Sequence, residues 1–202
     1  ALQLQMNPHF IFNVLNGIKA LGNSGKTDEL NKTISQFSVL LRSILSNSRK
    51  EEISLKDEID TLKNYLELEQ KMNSKTFTYT IETSLNNIDT EEILIPPMII
   101  QPFIENSIKH GIQLNTTNGV IHINFEVKSN FLHCRIKDNG IGFHQSKKEN
   151  NIKEHQSVAL SVTKERIENL SKYNSFSIEE ITENKQIIGT KISFKLPLKT
   201  DY

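Results

Sequence analysis

The chain has 202 residues, with 24 Lys plus Arg against 24 Asp plus Glu. That is enough for one sizeable core and a smaller helical appendage, without the charge excess that goes with nucleic-acid or anionic-membrane binding. The single cysteine, Cys134, excludes an internal disulfide framework and fits a reducing compartment.

No run of about 18 apolar residues is present to span a membrane. The opening ALQLQMNPHF is already in helical pattern, with neither cap nor signal peptide. The chain is therefore expected to be a cytoplasmic fragment cut from a longer protein.

Residues 2–22 carry Leu4, Ile11, Val14, Leu15, Ile18 and Leu21 at mixed spacings of three and four, which predicts an amphipathic helix. His9 lies off that stripe, on a face with Gln5, Asn13 and Asn16. Pro8 removes a backbone donor just before it, so the helix is expected to kink at His9. From the residues alone, His9 is either an exposed helical histidine beside a chance proline or a reactive group on a weakened turn.

Gly22–Asn23–Ser24–Gly25 predicts a turn. Asp28 is placed as the cap of a second helix to about Asn47, with Leu30, Ile34, Phe37, Leu40, Leu41, Ile44 and Leu45 inward. Such a hairpin cannot cover both of its apolar sides. It either pairs with a second copy as a four-helix bundle, with Leu4, Ile11, Leu41 and Ile44 as the seam, or packs on the rest of its own chain. Ser54 is placed as the N-cap of a third helix to about Met72, with Asp57 completing a capping-box-like pattern.

From Lys75 the period becomes two, and Phe77, Tyr79 and Ile81 predict a strand. The apolar run LIPPMII then opens QPFIENSIKHG, residues 101–111. Ile100, Phe103, Ile104 and Ile108 mark the buried face of a helix. Glu105, Asn106, Lys109 and His110 fall together on another. Asn106 and Glu105 suit a magnesium ion and a water, and Lys109 and His110 suit phosphate oxygens. The same face also reads as solvated, with an internal Glu105–Lys109 pair.

Ile121, Ile123, Phe125 and Val127, then Leu132, Cys134 and Ile136, predict a β-hairpin turning at Ser129–Asn130, with His122 and His133 outward. The six histidines show no HxxxH-type metal spacing. Residues 144–156 are polar and aperiodic, like a mobile lid. A helix from Ser157 to Tyr173 follows, then strands from Phe176 and around Ile192–Leu196. The order predicts an α+β fold with helices on one sheet face.

Two stretches carry a resemblance. ENSIKHG together with Asp138–Asn139–Gly140–Ile141–Gly142–Phe143, in that order, resembles the N box and first glycine box of the GHKL ATP-binding fold. QMNPHFIFNVLNGI resembles the phosphoacceptor box of LytS-type sensor histidine kinases, and SLKDEIDTLKNYLELEQ their linker helix.

The resemblance implies a helical hairpin over 1–50, a linker helix over 51–74 and a GHKL α/β sandwich over 75–202. It implies His9 as the phosphorylated histidine and Asp138 as the reader of the adenine amine. Gly140 and Gly142 would allow close approach of backbone to the base, and Asn106 would hold magnesium. Lys109 and His110 would meet phosphate, and Thr190, in GTKISFKLPL, would line the nucleotide pocket. Glu105 is a candidate base for water or for His9, and Asn13 a candidate for orienting the imidazole.

Where many relatives carry glycines after the lid, this chain has Ser157–Val158–Ala159–Leu160. Arg166 is expected either on phosphate or in an ion pair with Glu165 or Glu168. The implied function is magnesium- and ATP-dependent autophosphorylation of a homodimer, in cis or in trans, then transfer to a response-regulator aspartate. No nucleic-acid partner is expected, and membrane contact is expected only through an upstream segment. The rivals are a catalytically impaired nucleotide-binding scaffold and an ATPase that hydrolyses freely.

Overall fold

The computed structural model describes residues 7–72, 76–112, 118–142, 154–171 and 176–201. Helix α1 is Pro8–Asn23 and α2 is Thr27–Asn47. The helix starts at Pro8 and does not run through it. Asn7 is its N-cap, and the Asn7 side chain accepts from the His9 backbone N–H at 3.1 Å. A proline in the first turn forfeits no intrahelical bond, so the kink expected at His9 does not arise. Helix α2 starts one residue before Asp28, and no side chain caps it. Asp28 and Glu29 instead place negative charge in its first turn, where the helix dipole favours it.

Strand β1, Ile53–Ser54, runs directly into helix α3, Leu55–Met72. Ser54 Oγ accepts from the Asp57 N–H at 3.0 Å, as expected of its cap. Two more N–H groups of that first turn donate to backbone far along the chain: Leu55 to the Ile93 carbonyl at 2.8 Å and Lys56 to that of Thr90 at 3.0 Å.

Phe10 and Val14 of α1, Phe37, Leu40 and Ile44 of α2, and Leu62, Tyr65 and Leu66 of α3 bury one another. The hairpin therefore covers one apolar side on its own chain. The other side stays open, with Phe12 65%, Leu15 47%, Ile34 42% and Leu45 41% exposed. This corrects the expected seam: Ile44 is core, Ile11 and Leu41 are half-buried, and Leu4 lies outside the described residues.

Five strands form the main sheet: β2 Phe77–Ser84, β4 Gly119–Lys128, β5 Phe131–Asp138, β6 Phe176–Glu183 and β7 Gln186–Pro197. Their order is β2-β4-β5-β7-β6, with β2 parallel to β4 and the rest antiparallel. The short β3, Leu94–Ile95, pairs with β1. Ser129 and Asn130 turn β4 into β5 with φ of 51° and 60°, the left-handed pair that a two-residue hairpin requires.

Helix α4, Gln101–Asn106, continues as a π-helical stretch, Ser107–Ile112. Helix α5, Glu154–Leu170, starts three residues before the expected Ser157. The rest of the expected lid, 144–153, lies outside the described residues. Phe103 lies between the sheet rings, 5.6 Å from both Phe176 and Phe194. Cys134 is buried among these groups, and burial pushes its thiol pKa up, as suits a core residue.

One buried carboxyl joins the helical layer to α4. Glu58, on α3 and 2% exposed, accepts from the N–H of Met98 at 3.0 Å and of Ile100 at 3.2 Å. Ile100 is the N-cap of α4, so the carboxyl does there what a capping side chain does, from a different helix. Burial raises its pKa to about 7 against the opposing pull of these N–H groups and of Arg166.

A carboxyl whose pKa is higher folded than unfolded favours the fold most when protonated. Its contribution is present at low pH and is lost as pH rises through about 7. Denaturant unfolding at about pH 5 and about pH 8 should show wild type losing stability relative to Glu58→Gln by on the order of 2 kcal/mol. Parallel pH profiles for the two proteins would refute this.

Candidate functional site: a buried aspartate facing the end of a helix

Asp138 is the last residue of β5 and is 4% exposed. An aspartate held this deep needs donors. Its Oδ2 accepts from Ser107 Oγ at 2.8 Å and its Oδ1 from the Gly140 N–H at 2.9 Å. A third backbone donor is Thr190, its register partner on β7. Burial raises the Asp138 pKa, and the Gly140, Ser107 and Thr190 donors work against that rise. Two carboxylate oxygens have about four acceptor positions, so three donors leave room for one more N–H.

The backbone around the aspartate is fitted closely. A Cβ on Gly189 would stand 2.0 Å from the Asp138 carbonyl oxygen, so no side chain is possible there. Gly142 has φ +90°, a conformation that favours glycine. Asn139 continues the strand ladder with its side chain: Oδ1 accepts from the Val120 N–H at 2.7 Å and Nδ2 donates to the Asn118 carbonyl at 2.9 Å. The DNG segment is thus anchored on both sides of Asp138.

Asp138, Gly140, Thr190 and the start of the π-helical stretch come together in one place. Asn106 is the last residue of α4 and is half-buried. Ser107, next to it, reaches Asp138 and was not singled out from sequence. The signal was there: Ser107 sits four residues after Phe103 and three after Ile104, a small polar residue in the apolar stripe. The change from α to π turns at this point widens the helix just where Ser107 reaches the end of β5.

Glu105 goes elsewhere. It accepts from Gln101 Nε2 at 2.8 Å and feels the charges of Glu69 on α3 and of Lys109. Burial and Glu69 raise its pKa to about 7, while the Gln101 bond and Lys109 oppose them. Two residues apart on a helix, Glu105 and Ser107 project to nearly opposite sides. Glu105 therefore lies on the side of α4 away from Ser107, bonded within its own helix to Gln101. Lys109 is half-buried. His110 lies in the π-helical stretch, and its side chain is outside the described residues. Arg166 Nη2 donates to the Pro97 carbonyl at 3.2 Å, and among the described residues no ion pair joins it to Glu165 or Glu168.

His9 is exposed in the first turn of α1, with Nδ1 3.2 Å from the Asn13 amide. An amide can present oxygen or nitrogen at that point. With oxygen toward the ring, Nδ1–H is held and Nε2 carries the free lone pair. Among the described residues no cluster of His, Cys, Asp and Glu suits a metal ion by itself. No described helix is long and apolar enough to cross a membrane.

Residues 1–77 match the family described as Histidine kinase, and residues 96–200 that described as Histidine kinase-, DNA gyrase B-, and HSP90-like ATPase. Sensor protein LytS of Staphylococcus epidermidis is 35% identical over 144 residues, 70% of this chain and 23% of that protein. Sensor protein LytS of Bacillus anthracis is 31% identical over 209 residues, 98% of this chain and 34% of the relative. The chain thus spans about a quarter to a third of the length of these relatives.

A solved histidine kinase domain, from the Erythrobacter litoralis EL346 blue-light activated histidine kinase, shares the fold. Its TM-score is 0.51 at 12% identity, covering 95% of this chain and 93% of that one. Because the ATPase match alone takes in more than half of the chain and the kinase match covers the hairpin ahead of it, the chain belongs to the Histidine kinase-, DNA gyrase B-, and HSP90-like ATPase family, in its LytS-type sensor histidine kinase branch.

Proposed function

We propose that residues 1–202 are the kinase core of a two-component sensor. Residues 1–50 carry the phosphoacceptor and the dimer seam, 51–74 the linker helix, and 75–202 the nucleotide domain. The observation that carries this reading is Asp138: a buried aspartate held by Ser107, Gly140 and Thr190 at the end of a strand, against the start of the π-helical stretch. Asp138 takes the adenine amine of ATP. Gly140, Gly142 and Thr190 form the backbone wall around the base. Asn106 offers a neutral oxygen to magnesium, with Lys109 and His110 toward phosphate.

Magnesium supplies charge neutralisation at the phosphates, the main demand of phosphoryl transfer. The chain supplies the nucleophile. Nε2 of His9 forms the N–P bond as the bond between the γ-phosphorus and the bridging oxygen breaks, and ADP leaves. Asn13 holds the ring by Nδ1. The phosphoryl group then passes to an aspartate of a response regulator.

Nucleotide titration tests the pocket. Asp138→Ala should weaken ATP binding by about 1–3 kcal/mol, the cost of leaving the amine unpaired. Chelating magnesium should weaken binding more in wild type than in Asn106→Ala. Unchanged affinity in the first variant, or equal chelator sensitivity in the second, would show the residue misassigned.

Labelling with γ-labelled ATP tests the acceptor. His9→Gln should abolish acid-labile, base-stable label and leave ATP affinity intact, since no described contact joins His9 to Asp138. Label surviving in this variant would place the acceptor elsewhere. Nucleotide binding without labelling in wild type would favour the impaired scaffold, and release of free phosphate the ATPase.

The uncovered stripe of Phe12, Leu15, Ile34 and Leu45 supports a homodimer of the hairpins. Light scattering at high micromolar concentration should give twice the chain mass, falling toward one with Phe12→Asp and Leu15→Asp combined. A wild-type monomer at that concentration would count against the seam.

A further inference from the structure

Two hydroxyls of the other helices are bonded as helical hydroxyls commonly are, back to the carbonyl one turn before. Ser38 Oγ donates to the Ile34 carbonyl at 2.8 Å and Thr61 Oγ1 to that of Asp57 at 2.7 Å. Ser107 departs from that habit. It is 1% exposed at the start of the π-helical stretch, and its single hydroxyl proton goes to Asp138 Oδ2, 31 residues on, at 2.8 Å. Among the described residues no other side chain bonds this carboxyl: the Gly140 and Thr190 donors are backbone N–H groups. No charged group is among the influences on it.

We propose that Ser107 is a specificity-determining residue of the pocket, holding Asp138 as an acceptor so that the site takes purine nucleotides that carry a 6-amino group. The inference rests on the reading of Asp138 as the partner of the adenine amine.

Backbone N–H groups only donate, and those of Gly140 and Thr190 remain whatever residue stands at 107. The hydroxyl is therefore the donor on Asp138 that the sequence can add or remove. An amine N–H bonds a carboxylate about twice as strongly as it bonds a neutral oxygen. Burial favours the neutral acid, and the three donors favour the carboxylate. Without the hydroxyl, Oδ2 is left beside a methyl group in a place that water hardly reaches, since Asp138 is 4% exposed. Turning the carboxyl to recover a donor would take Oδ1 from the Gly140 N–H. Either response weakens the bond to an amine. A ligand without the amine has no such bond to lose.

The chain's affinity is measured for ATP and for purine riboside triphosphate, which has hydrogen in place of the amine. The ratio of the two dissociation constants reads the amine. In wild type it should favour ATP by about tenfold or more. Ser107→Ala should cut that ratio by about fivefold, weakening ATP while leaving the analogue within about twofold. Ser107→Thr keeps a hydroxyl and should keep the ratio, whatever its methyl group costs both ligands.

Equal weakening of both ligands by Ser107→Ala would mean that the hydroxyl merely supports the fold, and would overturn the proposal. A ratio lost equally in Ser107→Thr would also overturn it. Asp138→Ala separates this inference from the reading beneath it, and should bring the ratio to about one. A ratio already near one in wild type, or one that survives Asp138→Ala, would overturn the reading of Asp138 itself. A ratio that depends on Asp138 but is indifferent to Ser107→Ala would overturn this inference alone.

Discussion

The Glu58 carboxyl is the contact on which the placement of the candidate site depends. Residues 98–100 must leave a proline pair and start a helix, with Met98 at φ +56°. The N–H groups at such a point have no partner within the new helix. Glu58 takes those of Met98 and Ile100 from a helix some 40 residues earlier. Arg166 closes the same corner from α5 by donating to the Pro97 carbonyl. Three helices are thereby referred to one turn of backbone. Because α4 is only six residues long before it changes geometry, fixing its start also fixes Asn106 and Ser107 at its end.

From there the chain of consequence runs to Asp138. A carboxylate at the end of a strand would ordinarily meet water. Here β7 closes against β5 so tightly that the backbone at Gly189 touches the carbonyl of Asp138 itself. Asn139 copies a strand hydrogen-bond pattern with its amide, which holds the loop while freeing Gly140 to donate back to Asp138. Ser107 completes the set from the helix side. The aspartate is therefore preorganised by donors from three places: the π-helical stretch, the loop after β5 and β7.

Much of this was legible in the sequence because it is local. The alternation of Ile121, Ile123 and Phe125 marks β4 by its own period, and Ser129–Asn130 marks its turn by conformational preference. Ser54 caps α3 through a residue three places on. ENSIKHG and DNGIG carried the family by their order, and the structure brings Asp138, Gly140, Thr190 and the helix end into one place. What local pattern missed were the partners of orphan backbone and buried polar atoms. Asp28 looked like a cap because an acidic residue near a helix start often is one, yet Lys26 holds that position with no capping side chain. Pro8 looked like a kink because the apolar stripe seemed to begin earlier, whereas Asn7 starts the helix directly before it.

The missed residues have one property in common. Glu58, Glu69, Gln101 and Ser107 are polar and buried; Glu58 and Ser107 bond to groups distant in sequence, Glu69 and Gln101 to partners one turn along their own helices. On a helical wheel Glu58 reads as an ordinary surface acid of α3, and Glu105 as one half of a solvated pair with Lys109. Burying a carboxyl without donors costs several kcal/mol, so a fold that buries Glu58 and Glu69 and half-buries Glu105 must supply donors to each. It does so with the backbone of 98–100, the Tyr65 hydroxyl and the Gln101 amide. Those donors are directional where apolar packing is not. Of them, the N–H groups of Met98 and Ile100 bond across to Glu58 and so set how α3 meets the start of α4.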